Sequence, residues 1–415
     1  MTTHEVPAPR ALLTYDEYRD EVLALVSPTP RTERVHLRDA LGRVLAEDIA
    51  SPIDVPPFAN SAMDGYAVRW DDLAEGGETR LIVRGDVPAG SRWDPPVAPG
   101  ECVRVMTGAP VPSLTDSVVP VELTDGGLTE VIIRERPDRG RGAHVRGAGE
   151  DVSRGAQVAA VGDRVEPGIV SALAGIGIGE VEVRARPVVA LATTGDELAA
   201  PGTALERGQI YESNGPTLAA QLATLGAEVL RREPIRDEVD AFVAALDELA
   251  ARADLIIVTG GVSVGAYDVA RIALQEHAAA TFRHVRIQPG KPQGWARWRG
   301  QTPVLALPGN PVSAAISFTL FGRPMVERLL GSHRTDTLTT AIADGTWRSP
   351  SGRRQFVPVS LRTDVDGRLL AAPTHRRGSA SHMVTSLAGA DALAEIPEET
   401  TEVAARDLIQ IRSLT

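Results

Sequence analysis

The chain has 415 residues, which at roughly 100–200 residues per domain implies two to four domains. Its 43% hydrophobic and 24% charged residues exclude a wholly disordered chain. The net charge of −12 excludes a protein that coats nucleic acid through a basic face, yet small anions can still be held by local cations and backbone N–H groups.

In chain order, Glu5, Arg10, Asp16 and Glu17 precede any apolar run, so no secretory leader is expected. Helical spacing of Leu12, Leu13, Val22, Leu23 and Val26 predicts a helix over 11–26 that stops at Pro28, and a second is expected over 36–47. From 51 to 140 short apolar runs (81–83, 102–106, 118–121, 131–134) alternate with Gly and Pro turns, the pattern of a β-rich domain. Residues 141–186 read as a return to the region begun by 1–50, making 51–140 an insertion. Cys102, the single cysteine, reads as a buried strand residue; it excludes an intrachain disulfide or a cysteine-built metal cluster and fits a reducing cytosol.

From 187 to 331 the alternation becomes regular. Strands are expected at 188–192, 228–231, 255–258, 284–288 and 304–307, with helices at 215–225, 238–252, 267–279 and 312–330. That is the signature of a three-layer α/β domain with a parallel-rich sheet. Gly226 falls at a C-cap, and Asn310-Pro311 gives an N-cap followed by Pro at N1. Over 335–415 short runs at 356–361, 369–371, 392–396 and 408–411 suggest a compact β domain. The most apolar stretch, 303–322, is broken by Pro308, Gly309, Asn310 and Pro311, so neither a membrane span nor a membrane partner is expected, and the protein reads as cytoplasmic.

Ligands of open α/β sheets bind beyond the carboxyl ends of the strands, so the turns there carry the functional reading. They are Thr194-Gly195-Asp196-Glu197, Arg236-Asp237, Gly260-Gly261-Val262-Ser263-Val264-Gly265 with Asp268, Gly290-Lys291-Pro292, and Gly309-Asn310 with Ser313. The glycine-rich turn is either an anion cradle or a structural turn; it is neither a Walker loop nor a dinucleotide fingerprint. Asp196, Glu197, Asp237 and Asp268 could converge on Mg²⁺, which uses one or two carboxylates with phosphate oxygens and water; each alone could be a helix cap. Lys291 stands out because the other 42 of the 43 basic residues are Arg. A compact ammonium in a Pro-Gly-Lys-Pro turn suits a small oxyanion. Asp64-Gly65 reads as a hairpin turn by default, and the histidines lack zinc-site spacing.

Eight segments in order, PPFANSAMDGYAV, RVMTGAPVP, GEDV, TTGDEL, YESN, TGGVSVGAYD, PGKP and LPGNPVSA, resemble the molybdopterin molybdenumtransferase family. Weaker likeness continues through Gly352–Phe356 and Ser381–Met383. The resemblance implies an elongated homodimer with a split first domain (1–50 and 141–186), an inserted β domain (51–140), a molybdopterin-binding α/β domain (187–331) and a C-terminal β-barrel (335–415). It implies that adenylylated molybdopterin and molybdate give the molybdenum cofactor and AMP, in a cleft shared between the α/β domain of one subunit and the inserted domain of the other. It also brings in a molybdopterin adenylyltransferase as a candidate partner.

By that likeness Glu197, Asp237 and Asp268 hold Mg²⁺, and Lys291, Pro292, Ser313, Arg353 and Ser381 contact molybdate. Thr194, Gly195, Asn214, Gly260, Gly261, Ser263, Gly265, Gly309 and Asn310 line the substrate site. Asp64, Thr107 and Asp151 match catalytic positions. Many members carry K-P-G-K-P where this chain has Gln288 in the first place, and Arg353 is followed by Arg354, so either could face the cleft. Two other readings remain: an adenylyltransferase that activates molybdopterin with ATP, and a scaffold that holds the cofactor without turnover.

Overall fold

The computed structural model describes residues 12–414 except 233, 262–267, 334–336 and 376–380. The helix Tyr15–Leu23 is started by a capping box, in which Thr14 Oγ1 accepts the Glu17 N–H at 3.1 Å and Glu17 Oε2 accepts the Thr14 N–H at 2.8 Å. Its Tyr15, Tyr18 and Val22 enter the core that also contains Leu191, Leu305, Phe321 and Phe356. The helix therefore packs against the α/β sheet, and of residues 32–50 only Val44 reaches that core.

Those residues meet the later segment instead. Thr32–His36 pairs antiparallel with Glu180–Arg184, and Ile49–Ala50 with Gln157–Ala159, over a core of Leu45, Ile49, Val165, Leu173 and Val183. The helix expected over 36–47 is corrected to a single 3₁₀ turn, Leu37–Asp39. Gly42 at φ 76° turns the chain. Val44 and Leu45 then bridge to Arg164 and Val183 and enter two different cores, a two-residue alternation that only extended backbone provides.

Between these halves lies a five-stranded sheet in the order Ser117–Pro120, Gly65–Val68, Glu101–Val105, Thr79–Val87, Glu130–Ile133. Cys102 sits in its interior, and burial pushes the thiol up to about 12.

The α/β unit contains β1 (Val188–Thr193), α1 (Asn214–Leu225), β2 (Glu228–Arg231), α2 (Val239–Ala250), β3 (Leu255–Thr259), α3 (Val269–His277), β4 (Thr281–His284), β5 (Pro292–Trp298), β6 (Thr302–Leu307) and α4 (Pro311–Ser317). The sheet order is β2-β1-β3-β6-β5-β4. The first four of these strands are parallel; β5 runs antiparallel to both β6 and β4. Gly226 caps α1 at φ 82° and Asn310 caps α4. The helix expected over 312–330 is interrupted by a π-turn, Phe318–Gly322, just before Pro324, whose missing N–H cannot bond the preceding turn.

The strand expected over 284–288 is corrected: β4 ends at His284, and Ile287–Gln288 leaves the sheet to pair with Arg354–Gln355. β5, which sequence reading missed, takes its place beside β6. The C-terminal unit closes into a five-stranded barrel, Arg354–Thr363, Leu369–Pro373, Leu338–Ala343, Leu408–Ser413 and Ala392–Ile396, the last pairing back onto the first. Among the described residues no helix is long and apolar enough to cross a membrane.

Tyr18, fully buried, donates its hydroxyl to the Gly294 carbonyl at 3.1 Å and so ties the first helix to β5. Tyr18→Phe removes this bond and should destabilise this core by about 0.5–1.5 kcal/mol. A lowered urea midpoint, followed by fluorescence of Trp295 and Trp298 on β5, checks this.

Candidate functional site

The parallel strands end at one edge of the sheet, and their turns enclose a cavity of about 440 Å³ lined by Thr194, Gly195, Glu197, Asn214, Asp237, Thr259, Gly260, Gly261, Asp268, Gly309 and Asn310. The turns approach backbone to backbone. Gly260 is at φ 89°, and a Cβ there would stand 2.7 Å from the Thr194 carbonyl oxygen. Asn214 donates from Nδ2 to the Gly309 carbonyl at 2.8 Å, joining the start of α1 to the turn after β6. Ser263 and Gly265 lie outside the described residues.

This cavity is acidic. Asp196 and Asp237 exchange backbone contacts: the Asp237 N–H donates to Asp196 Oδ1 at 3.2 Å, and the Asp196 N–H to Asp237 Oδ2 at 3.4 Å. Burial, followed by the nearby charges of Asp196, Glu197 and Asp268, pushes the Asp237 carboxyl above its ordinary range. Among the described residues three cavity-lining groups have a buried polar atom without a partner: Asn214 Oδ1, Thr259 Oγ1 and Asp268 Oδ2. Buried acceptors of this kind are ordinarily paired, so they mark places for a ligand's donors or a cation. No group of three or more His, Cys, Asp or Glu among the described residues is gathered tightly enough to hold a metal ion unaided. Glu197, Asp237 and Asp268 thus fit an ion that takes most of its oxygens from phosphate and water, as Mg²⁺ does, rather than a preformed protein cage.

A second cavity of about 540 Å³ adjoins the first across Pro292, Pro308 and Asn310, which line both. Its other walls include Gln288, Lys291, Ser313, Arg353, Ser381 and His382. Lys291 reaches this edge for a reason other than the expected one. It precedes an antiparallel strand, and the start of β5 lies beside the end of β6. The barrel supplies the far wall: Asn310 donates from Nδ2 to Ser381 Oγ at 3.2 Å, and the Val312 N–H donates to the Ser381 carbonyl at 3.1 Å.

Of the two adjacent arginines, Arg353 lines the cavity and donates from Nη1 to Gln288 Oε1 at 3.4 Å. Arg354 is engaged elsewhere, with Glu395 at 3.2 Å, Glu398 at 3.4 Å and Asp16 at 3.5 Å, and lies over the Tyr15 ring. The second cavity is accordingly cationic. Burial, then the charges of Lys291 and Arg271, depress the nearby His284 imidazole.

Three expected site residues lie apart from both cavities. Asp64 Oδ1 accepts the N–H and the hydroxyl of Thr107, each at 2.7 Å, and these bonds hold the carboxyl below its usual range. Asp151, exposed on its turn, donates its N–H to the Val55 carbonyl at 2.9 Å. None of them lines either cavity of the same chain. Sequence reading also missed Thr259 and Glu212, both lining the acidic cavity. Thr259 was detectable as the last strand residue before the glycines. Glu212, the second residue of the YESN segment, is 2% exposed and accepts the Gly215 N–H at 2.7 Å and Arg231 Nη2 at 2.9 Å.

Comparison with known proteins places this geometry. Residues 13–177 match the family described as MoeA N-terminal region (domain I and II), 190–328 match a probable molybdopterin binding domain, and 340–413 match MoeA C-terminal region (domain IV). The chain is 41% identical to molybdopterin molybdenumtransferase 2 of Mycobacterium tuberculosis, over 95% of this chain and 98% of that protein. It is 32% identical to molybdopterin molybdenumtransferase of Haemophilus influenzae, over 96% and 98%. The crystal structure of a molybdopterin biosynthesis MoeA protein from Pyrococcus horikoshii is similar with a TM-score of 0.81 and 31% identity, covering 98% of this chain and 100% of that one.

The raised Asp237 carboxyl has a sign that can be checked. The folded state binds this proton more tightly than the unfolded chain, so stability falls as pH rises from the ordinary carboxylate value of 3.8 through the raised one. Asp237→Asn should therefore raise the unfolding temperature at neutral pH, and the gain should fade as pH is lowered towards 3.8. Thermal unfolding of both proteins across pH reads this directly.

Proposed function

The chain belongs to the molybdopterin molybdenumtransferase family, and from that membership we propose that it inserts molybdenum, converting adenylylated molybdopterin and molybdate into the molybdenum cofactor and AMP. The observation that carries this reading is the pair of adjoining cavities of opposite charge, acidic around Asp237 and Asp268 and cationic around Lys291 and Arg353, with Pro292, Pro308 and Asn310 between them.

The dithiolene thiolates of the substrate are its nucleophiles, so no protein nucleophile is required. The work of the protein is to bring two anions together in fixed orientation against their repulsion. Lys291 and Arg353 oppose the two negative charges of molybdate, while Ser313 and Ser381 offer hydroxyls, and Pro292 and Asn310 set the wall through which the two sites communicate. Gln288, neutral, holds Arg353 by its amide oxygen, so this pocket carries its positive charge on Lys291 and Arg353. The phosphate-bearing part of the nucleotide substrate takes the acidic cavity, along Thr194, Gly195, Gly260, Gly261 and Gly309, with Asn214 fixing the turn. Mg²⁺ bound there through Glu197, Asp237 and Asp268 would supply the positive charge that phosphate oxygens need beside carboxylates.

Asp64, Thr107 and Asp151 fit this scheme as groups delivered by a second subunit, since they line neither cavity of their own chain. We therefore read the enzyme as a homodimer with the four-domain division expected above, working in the cytoplasm on the product of a molybdopterin adenylyltransferase.

Lys291→Ala should raise KM for molybdate at least about tenfold, the worth of a charge-assisted contact of roughly 1.5–3 kcal/mol, and leave KM for adenylylated molybdopterin unchanged. Steady-state kinetics in both substrates decides this, and an equal effect on the two contradicts the division of the site. Asp268→Asn should raise the Mg²⁺ concentration needed for half-maximal AMP release. Given ATP and molybdopterin, the protein should release no pyrophosphate; release would assign it the preceding adenylylation step instead.

A further inference from the structure

The Gly290-Lys291 turn is held from beneath by a side chain that touches neither cavity. Gln293 is 1% exposed, and its Nε2 donates to the Gly290 carbonyl at 2.6 Å and to Ser317 Oγ at 2.7 Å. The amide orientation follows from the partner, because a carbonyl can only accept. Ser317, fully buried, is the last residue of α4, one turn beyond Ser313, which lines the cationic cavity. Side chains four apart share one helix face. One amide group thus ties the turn that carries Lys291 to the helix that carries Ser313.

The fit leaves no slack. Gly290 is at φ 98°, and a Cβ there would stand 2.7 Å from Ser317 Oγ and 3.2 Å from Gln293 Nε2. On the far side of the turn, the Lys291 carbonyl accepts the Val285 N–H at 2.8 Å. The backbone around Lys291 is therefore fixed by two acceptors in succession, one bonded to a side chain and one to the backbone of the residue that follows β4. Lys, with its long flexible stem, gains most from such a fixed base, because its ammonium otherwise samples many rotamers.

We propose that Gln293, together with Ser317, is a positioning residue for the oxyanion pocket: it holds the Gly290-Lys291 turn against α4 so that the Lys291 ammonium is aimed at the anion beside Ser313. This rests on Lys291 being a molybdate contact, as argued above. Its arms are Gln293→Met, which keeps the length and removes the donor, Ser317→Ala, which removes only the acceptor hydroxyl, Lys291→Ala, and the double variant Gln293→Met with Lys291→Ala.

In the full-length protein, Gln293→Met should raise KM for molybdate about tenfold and leave KM for adenylylated molybdopterin unchanged. It should add nothing once Lys291 is Ala, because its effect passes through that side chain. Ser317→Ala should move KM for molybdate in the same direction by about threefold, and it keeps the test open if Gln293→Met does not fold. If Lys291→Ala raises KM for molybdate and neither brace variant does, the positioning role is overturned and the oxyanion reading stands. If Lys291→Ala leaves it unmoved, the oxyanion reading fails and the positioning role with it. Equal rises for both substrates, or a Gln293→Met effect that persists without Lys291, mark general loosening and also overturn it.

Discussion

Like charges held close together must be opposed by something rigid, and this molecule does so twice within one cleft. The charges of Asp196, Glu197 and Asp268 add to the cost of ionising Asp237 on one side, and Lys291 and Arg353 face a common space on the other. Neither set would stay assembled on flexible loops, since each gains by moving apart into water. The sheet edge prevents that. β1, β3 and β6 are buried strands, and their turns leave them in direct backbone contact. The wall between the two sets is made largely of Pro292 and Pro308, whose ring-locked backbone resists adjustment.

The second constraint is that the cleft is assembled from separate units. The barrel contributes Arg353 and Ser381, and it is registered to the sheet by Ile287–Gln288, which leaves one and pairs with the other. Arg354 complements this from the opposite direction, joining barrel acids Glu395 and Glu398 to Asp16 at the start of the first helix. Two neighbouring arginines therefore do different jobs: one anchors the barrel, and the other lines the second cavity. Asp64 lies apart from the cavities, where two hydrogen bonds from Thr107 hold its carboxyl below the usual range.

Much of this was legible in the chain. Gly226, Asn310-Pro311 and the runs 188–192, 255–258 and 304–307 announced helix ends and buried strands because each rests on local chemistry: a left-handed cap, a fixed φ, an unbroken apolar run. The solitary lysine among arginines singled out the turn that the fold does bring to the sheet edge. What failed was non-local. The stretch 292–298, PQGWARW, alternates too weakly to read as a strand; it is held by pairing on both sides and by Tyr18 from the first helix. The stretch 36–47 has helical spacing, but Gly42 and the opposite-facing Val44 and Leu45 commit it to extended bridges. Arg353 could be told from Arg354 only when the acids brought near by folding were visible.

The central claim is spatial, that an oxyanion and a nucleotide phosphate are bound side by side in cavities of opposite charge. Its most direct test is anomalous diffraction from crystals soaked with molybdate together with AMP and Mg²⁺. The account predicts a molybdenum peak within hydrogen-bonding distance of Lys291 Nζ and Ser313 Oγ, with the adenylate phosphate across Pro292 and Pro308 near Asp237 and Asp268. Molybdenum in the acidic cavity, or on a surface remote from Lys291, would contradict it.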